Sequence, residues 1–391
     1  MPVKVVLGLE ALTPPRTGIG RYTAALLREY LAMPQRVQVL GMRHGVLVDS
    51  PKALACLVEQ EAVISDWRGP AWKRALSYLP GIRTSYQFVR TLWGSSKIHR
   101  LPHKTVYHEP NYIPPSLDCP LVITVHDLSH LVFPQYHPKE RVRWLERQLP
   151  KALEQAAKVI TVSEFSRREI LNRLGLAAHK VVTIPLGLEA SFRLLPPEVL
   201  TSVLARHSLA QQGYVLAVGT LEPRKNLARL LEAYALLPKA VRRRVPLVLV
   251  GAKGWHTTPL WSKLDPLARR SELRWLGYVH DAELPALYAG AAVFAYVSLY
   301  EGFGLPVLEA MGCGAPVVTS QGSAMASWAG EAAVLADPED ALSIREALLC
   351  LLEDVELAQR LRARGQALAR RFSWPSCAEA TLAVYTEVAN G

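Results

Sequence analysis

The chain of 391 residues has no apolar run approaching the ~20 residues that a bilayer-spanning helix needs. Its start, Pro2 to Gly8, is too short for the core of a signal peptide and reads as a first strand over Val3–Leu9. Cysteine is sparse and scattered. Cys56, Cys119, Cys313, Cys350 and Cys377 have no metal-ligand spacing and do not make an even framework, so they read as free thiols in a reducing cytosol. Acid is in short supply, with 34 Asp and Glu against 45 Lys and Arg, a formal charge of +11. Such an excess implies an anionic partner: nucleic acid, anionic lipid or a sugar nucleotide. The chain carries no nucleic-acid motif, no zinc spacing and no internal repeat, and we expect no nucleic-acid partner. A D-x-D pair is absent too, so a metal clamping a diphosphate is not indicated and no cofactor is expected.

What remains is an ordinary globular composition, half apolar and one fifth charged, on a chain long enough for two domains. The richest stretch is Ser298–Ser320, SLYEGFGLPVLEAMGCGAPVVTS. Val293–Val297 before it is apolar and β-rich, and Gly302-Phe303-Gly304 supplies a permissive turn. Pro306 suits a first helical turn, Gly312 and Gly314 end the helix, and Pro316–Thr319 reads as the next strand. Strand, glycine turn, helix and strand in that order predict parallel pairing in an α/β sheet. The turn with Leu305 after it opens a helix, whose N–H groups and dipole suit a phosphate. Glu301 and Glu309 frame it. Either one alone reads equally as a surface or helix-terminus charge, whereas two carboxylates eight apart around G-F-G-x-P make a more specific pattern, suited to sugar hydroxyls beside a phosphate.

This stretch resembles the EX7E motif of family 4 retaining glycosyltransferases, which have the GT-B fold. The resemblance implies two doubly wound Rossmann-like α/β domains facing a central cleft. It also implies that Glu301 meets donor-sugar hydroxyls, that Glu309 holds the ribose of the nucleotide, and that the turn Gly302, Phe303, Gly304 and Leu305 lies at the diphosphate. Three further segments are similar to family segments. Gly18-Ile19-Gly20 follows the first strand ahead of a helix read over Tyr22–Leu31. A lone G-x-G is also a plain βα loop, but in the family a similar loop puts Gly20 near the leaving phosphate. Leu121–Val125 is a buried strand with His126-Asp127 at its C-terminal end, where functional groups of open α/β sheets lie. A single histidine is more often structural, yet VHDLSH resembles the family segment whose histidine contacts the donor sugar, and His126 is a candidate active-site residue on that basis. Gly219 ends the strand Tyr214–Thr220, and Arg224-Lys225 follow it ahead of a helix from Leu227, making an anion site that resembles the family's diphosphate segment. Around Tyr278 and Val279 the family's backbone holds the base, and Asp281 reads as a helix cap.

One departure stands out. Where the family usually has a Pro-Glu pair, this chain has Ala326-Ser327 before Trp328. The resemblance is dense from about Val215 to Pro338 and absent as motif in Pro51–Leu101. Within that gap, Asp66–Lys104 has eight Lys or Arg, one acid and six aromatics. This suits either an anionic membrane surface or a solvated face over an aromatic core. The expected organisation is an acceptor-side domain over 1–195, a nucleotide-sugar domain over 205–372, and a final helix, 373–391, packing back on the first. The resemblance implies a retaining hexosyltransferase using a nucleotide sugar, GDP-mannose or a related GDP-deoxyhexose before UDP-sugars, and a glycan or lipid-linked acceptor. It places the protein in lipopolysaccharide or other surface-polysaccharide assembly, in the cytoplasm at the inner face of the membrane. An inverting GT-B transferase, a sugar-nucleotide epimerase and a basic membrane- or nucleic-acid-binding module are the rivals.

Overall fold

The computed structural model describes residues 2–13, 17–59, 105–252, 267 and 270–391. The basic, aromatic stretch Asp66–Lys104 lies outside the described residues.

Two sheets organise the chain, each built from short apolar runs that bury both faces, the pattern of parallel strands flanked by helices. The first comprises β1 (Val3–Gly8), β2 (Val37–Arg43), β3 (Val46–Val48), β4 (Thr105–Glu109), β5 (Leu121–Val125), β6 (Lys158–Thr161) and β7 (Val181–Thr183), in the order β3-β2-β1-β4-β5-β6-β7. Only β3 pairs antiparallel, as the second arm of a hairpin through His44-Gly45, both at positive φ. The second sheet comprises β8 (Val215–Val218), β9 (Leu247–Val250), β10 (Leu273–Gly277), β11 (Val293–Tyr296), β12 (Val317–Ser320) and β13 (Val334–Ala336), in the order β10-β9-β8-β11-β12-β13, parallel throughout. Each order reverses once, between β1 and β4 and between β8 and β11, and such switch points open a crevice at the strands' C-terminal ends.

The two halves are knitted together. One buried apolar cluster runs from Val5 and Leu7 in β1 through Phe192 to Phe303, Val307 and Met311. The last helix, Trp374–Asn390, packs against the Gly18–Leu31 helix, β1 and β4. Its Tyr385 hydroxyl lies 2.5 Å from His108 Nδ1 at the end of β4, and His108 Nε2 lies 2.7 Å from Thr124 Oγ1. The chain crosses back where Leu188 bridges Ser373, and Trp374 N lies only 2.2 Å from where a Cβ on Gly187 would stand. β7 ends at Thr183 although the apolar run continues: Pro185 has no N–H to give a ladder, and the chain turns off to this crossing. Among the described residues, no helix is long and apolar enough to cross a membrane.

Candidate active site

The candidate residues converge where the C-terminal ends of β5, β8 and β11 meet the cleft. Behind β8, Pro223–Lys225 forms one turn of 3-10 helix, and Asn226, at φ 59, ends it. Asparagine tolerates that left-handed conformation. Its amide donates to Val297 O at 3.0 Å and Pro338 O at 2.7 Å, which locks the turn to the loop leaving β11. Arg224 and Lys225 are thereby aimed at Glu301.

Glu301 is buried and held by three donors. Lys225 Nζ lies 2.6 Å from Oε1, Arg224 Nη1 lies 3.0 Å from Oε2, and the Tyr296 hydroxyl donates to Oε1 at 3.0 Å. Burial alone would raise its carboxyl, but Arg224 and Lys225 outweigh it and hold Glu301 down at about 2. Arg224 also pairs with Glu222 at 2.8 Å and donates to Tyr300 O at 2.6 Å. Burial opposes its charge, while Glu301, Asp127 and Glu222 restore it. Lys225 gives one donor to Glu301 and one to the Tyr296 hydroxyl at 2.6 Å, which leaves a third N–H of the ammonium. The sequence placed these cations on a diphosphate and Glu301 on a sugar. The structure joins all three in one network, so moving any of them moves the others.

The loop after Glu301 is pinned against the first half. Ser163, which caps the Glu164–Leu174 helix through Ser166 N, also donates to Gly302 O at 2.6 Å. Ser166 Oγ reaches His126 O at 3.3 Å and Gly302 O at 3.2 Å. His126 O lies 2.0 Å from where a Cβ on Gly302 would stand, so only glycine fits there. Gly304, at φ 90, caps the Leu305–Gly312 helix, as the sequence predicts. Phe303 is buried and stacks on Trp328, with centroids 5.2 Å apart, and its carbonyl accepts from Trp328 Nε1 at 2.8 Å. Trp328 thus supports the loop from the region where the chain departs from the family pattern.

His126 is buried, and its Nε2 donates to Pro110 O at 2.9 Å, which leaves Nδ1 as the acceptor. Burial pushes the ring down to about 4, with Pro110 and Asp127 opposing, so it is neutral at pH 7. Asp127 accepts from Ser129 N at 2.9 Å and from the Tyr112 hydroxyl at 3.1 Å and orients this loop. Burial would raise its carboxyl, but Arg224 and Ser129 hold it low.

Glu309 sits on the second turn of the Leu305–Gly312 helix, about as deep as Glu301, with Tyr288 donating to Oε2 at 2.9 Å and Arg21 to Oε1 at 2.9 Å. Two expectations need correction here. Gly20 does not lie in a loop: the helix begins at Gly18, capped by Thr17, and Gly20 is buried in its first turn. Asp281 caps nothing: Glu283 holds the N-cap position of the Leu284–Ala289 helix, and Asp281 instead takes Arg21 Nη2 at 2.9 Å. Gly219 keeps a φ of 150, with the Lys225 side chain 3.7 Å from the place of a Cβ. Tyr278 stands exposed after Gly277 at the end of β10, while Val279 is buried. The sequence reading singled out Ser163 only as a helix cap, which it is, and missed its hold on Gly302. It missed Arg21, Tyr288 and Tyr296 as site residues.

Two family models match the chain: Glycosyltransferase Family 4 over residues 16–192, and Glycosyl transferases group 1 over 206–368. The O-antigen chain mannosyltransferase B of Escherichia coli is 38% identical over 391 residues, covering 98% of this chain and 99% of that protein. The chain is a family 4 glycosyltransferase. This glycosyltransferase is also similar to the MMP alpha-(1->4)-mannosyltransferase of Mycolicibacterium hassiacum, 30% identical over 68% of this chain and 65% of that protein. Among solved structures, HepE of Anabaena, crystallised with UDP and glucose, superposes with a TM-score of 0.69 at 19% identity, covering 98% of this chain and all, 100%, of that one. WaaG, a glycosyltransferase involved in lipopolysaccharide biosynthesis, superposes at 0.68 and 17% identity, covering 98% of this chain and 99% of its own. These two share the GT-B architecture.

Proposed function

We propose that this glycosyltransferase moves mannose, or a related deoxyhexose, from a GDP-linked donor to a glycan or lipid-linked acceptor in surface-polysaccharide assembly, with retention at the anomeric carbon. The observation that carries the reading is the buried Glu301 held ionised by Arg224 and Lys225 beside a helix start. The full-length likeness to an O-antigen mannosyltransferase supports the sugar and the pathway class. In this reading 205–372 binds the donor, and 1–195 with helix 373–391 receives the acceptor and brings His126.

The chemistry follows from the network. As the glycosidic bond to the diphosphate breaks, negative charge grows on the leaving oxygens. Fixed donors aimed at such charge typically contribute ~3 kcal/mol each. Lys225 has an N–H to give, and Arg224 keeps the network's cationic character in a buried site. Glu301, fixed as a carboxylate, accepts from sugar hydroxyls. Neutral His126 lies across the Gly302 seam with Nδ1 as an acceptor for a sugar hydroxyl. Glu301 is committed to two cations, so the reading routes transfer through front-face substitution, with no covalent glycosyl-enzyme and no metal.

The test is a time-resolved proton NMR assay of transfer from GDP-mannose, preceded by a thermal-shift panel of GDP- and UDP-sugars. An α-linked product from the α-linked donor, with GDP stabilising the fold more than UDP, is expected. A β-linked product would make the enzyme inverting, and release of nucleotide with an epimerised sugar would make it an epimerase. We further propose that the enzyme sits peripherally on the cytoplasmic face of the membrane through Asp66–Lys104.

A further inference from the structure

Arg21 rises from the first turn of the Gly18–Leu31 helix in the first half, yet it meets two carboxylates of the second. Nη1 meets Glu309 Oε1 and Nη2 meets Asp281 Oδ2, each at 2.9 Å. A planar guanidinium offers two separate nitrogens in a fixed fork and so meets two separated acids at once, whereas an ammonium has to draw both acids to one nitrogen. Asp281, in the turn after β10, is 40% exposed and serves as a solvated anchor, whereas the Glu309 side chain is 7% exposed.

Glu309 needs that cation. The titratable groups facing it are Arg21 from the Gly18–Leu31 helix, Asp281 from the turn after β10, Glu189 from the segment after β7, Tyr288 from the Leu284–Ala289 helix and Cys313 at the end of its own helix. Among the described residues Arg21 is the only positive one of these. Burial raises the Glu309 carboxyl and Asp281 and Glu189 push it the same way, while Arg21 and the Tyr288 hydroxyl oppose them without cancelling them. Geometry matters equally. Tyr288 is wholly buried and takes Oε2 from the core side, so Arg21 on Oε1 fixes the other edge of the carboxylate. Each oxygen keeps a lone pair for a ligand hydroxyl.

We infer that Arg21 is the positioning residue of the donor's ribose site: anchored on Asp281, it keeps Glu309 an aimed carboxylate, so nucleotide affinity depends on a side chain from the acceptor-side half. This rests on the reading that Glu309 holds the ribose. It also explains how a cleft between two halves can be tuned to its donor: the ribose site is complete only while the Gly18–Leu31 helix stays against the Leu305–Gly312 helix, where Leu305 Cδ1 lies 4.0 Å from the place of a Cβ on Gly18.

The test is calorimetric titration of GDP and of 2′,3′-dideoxy-GDP into the full chain, at about pH 6 and about pH 8.5, with UDP and its dideoxy analogue in parallel. Wild type should prefer the ribonucleotide about tenfold or more at both pH values. Glu309→Gln should lose that preference at both. Arg21→Met should narrow it, and more at the lower pH than at the higher, because losing the cation raises the Glu309 carboxyl further. Arg21→Lys, which keeps the charge without the bridge, should retain a smaller preference that does not change with pH. Asp281→Asn should do the same, and it leaves the Arg21–Glu309 pair intact should Arg21→Met fail to fold. If Arg21→Met discriminates like wild type at both pH values, the inference is wrong. So it is if both Arg21→Lys and Asp281→Asn match wild type. A wild type that binds both forms equally, or a Glu309→Gln that still discriminates, would instead overturn the ribose reading of Glu309.

Discussion

The carbonyl oxygen of His126 lies 2.0 Å from the place a Cβ on Gly302 would occupy, so the loop that carries the donor-side carboxylate and the strand end that carries the candidate histidine touch through bare backbone. A methyl group cannot enter without moving one half against the other. Gly302→Ala should therefore lower kcat by about a hundredfold, since a displacement near 1 Å between reacting partners can cost that much. Nucleoside diphosphate affinity should fall as well, because the same displacement draws Arg21 off Glu309. Steady-state kinetics beside calorimetry would check this, and a Gly302→Ala enzyme with normal kcat would show that the seam does not position the reaction.

The two glutamates should separate by ligand. Glu309→Gln should weaken GDP and GDP-mannose alike, because ribose is common to both. Glu301→Gln should weaken mainly the sugar-bearing donor. It should also lower the melting temperature, since Arg224 and Lys225 would remain buried without their shared partner, a loss of about 3 kcal/mol or more. Equal losses for both ligands in both variants would mean that the roles are not divided in this way.

Much of this site was legible locally. Val293–Tyr296, the turn to Gly304 and the helix after it follow from β-branched and aromatic runs, permissive glycines and a proline in the first turn, and each needs only neighbours in sequence. The pairings were not legible. Arg21 and Glu309 lie 288 residues apart, and an arginine opening an amphipathic helix reads as surface charge until the second half is placed against it. Asp281 was misread for the same reason: an acid three residues ahead of a helix looks like a cap when its tertiary partner is unknown. Gly20 was placed in a loop because glycine lowers local helix propensity, yet packing of Tyr22, Leu26 and Leu27 starts the helix at Gly18. The basic stretch Asp66–Lys104 matched no local pattern strongly enough to divide surface from core.

Acid should weaken the fold through buried histidines before it reaches the carboxylates. Burial holds His108 at about 3 and His126 at about 4, below the ~6.5 of an unfolded chain. The unfolded state therefore takes up protons that the folded state refuses. Stability should be full above about pH 6.5 and fall by about 1.4 kcal/mol per pH unit for each histidine down to these values. Glu301, held at about 2, keeps its contribution down to about pH 4.5 and loses it as pH falls from there toward its folded value. Urea unfolding between about pH 7 and about pH 4.5 should show the slope, and His108→Gln should make it shallower. A flat wild-type profile, or an unchanged slope in His108→Gln, would contradict this.

Membrane association should depend on charge. Wild type should co-sediment with vesicles containing anionic lipid and release at high salt, because each Lys or Arg near such a surface contributes ~1 kcal/mol that salt screens. Replacing Arg68, Lys73, Arg74 and Arg83 with Ser should weaken binding. Equal binding to neutral vesicles, or no loss in the fourfold variant, would return the stretch to a solvated surface.

The central claim is that Arg224 and Lys225, locked onto Glu301, stabilise a departing nucleoside diphosphate. Turnover of GDP-mannose by wild type, Arg224→Ala and Lys225→Ala, with and without EDTA, tests it most directly. Wild type should transfer mannose equally well in chelator, and each alanine variant should lose about a hundredfold in kcat with weaker GDP binding, as removal of one donor at developing charge predicts. Normal turnover in both variants, or wild-type activity that chelator abolishes and magnesium restores, would contradict the account.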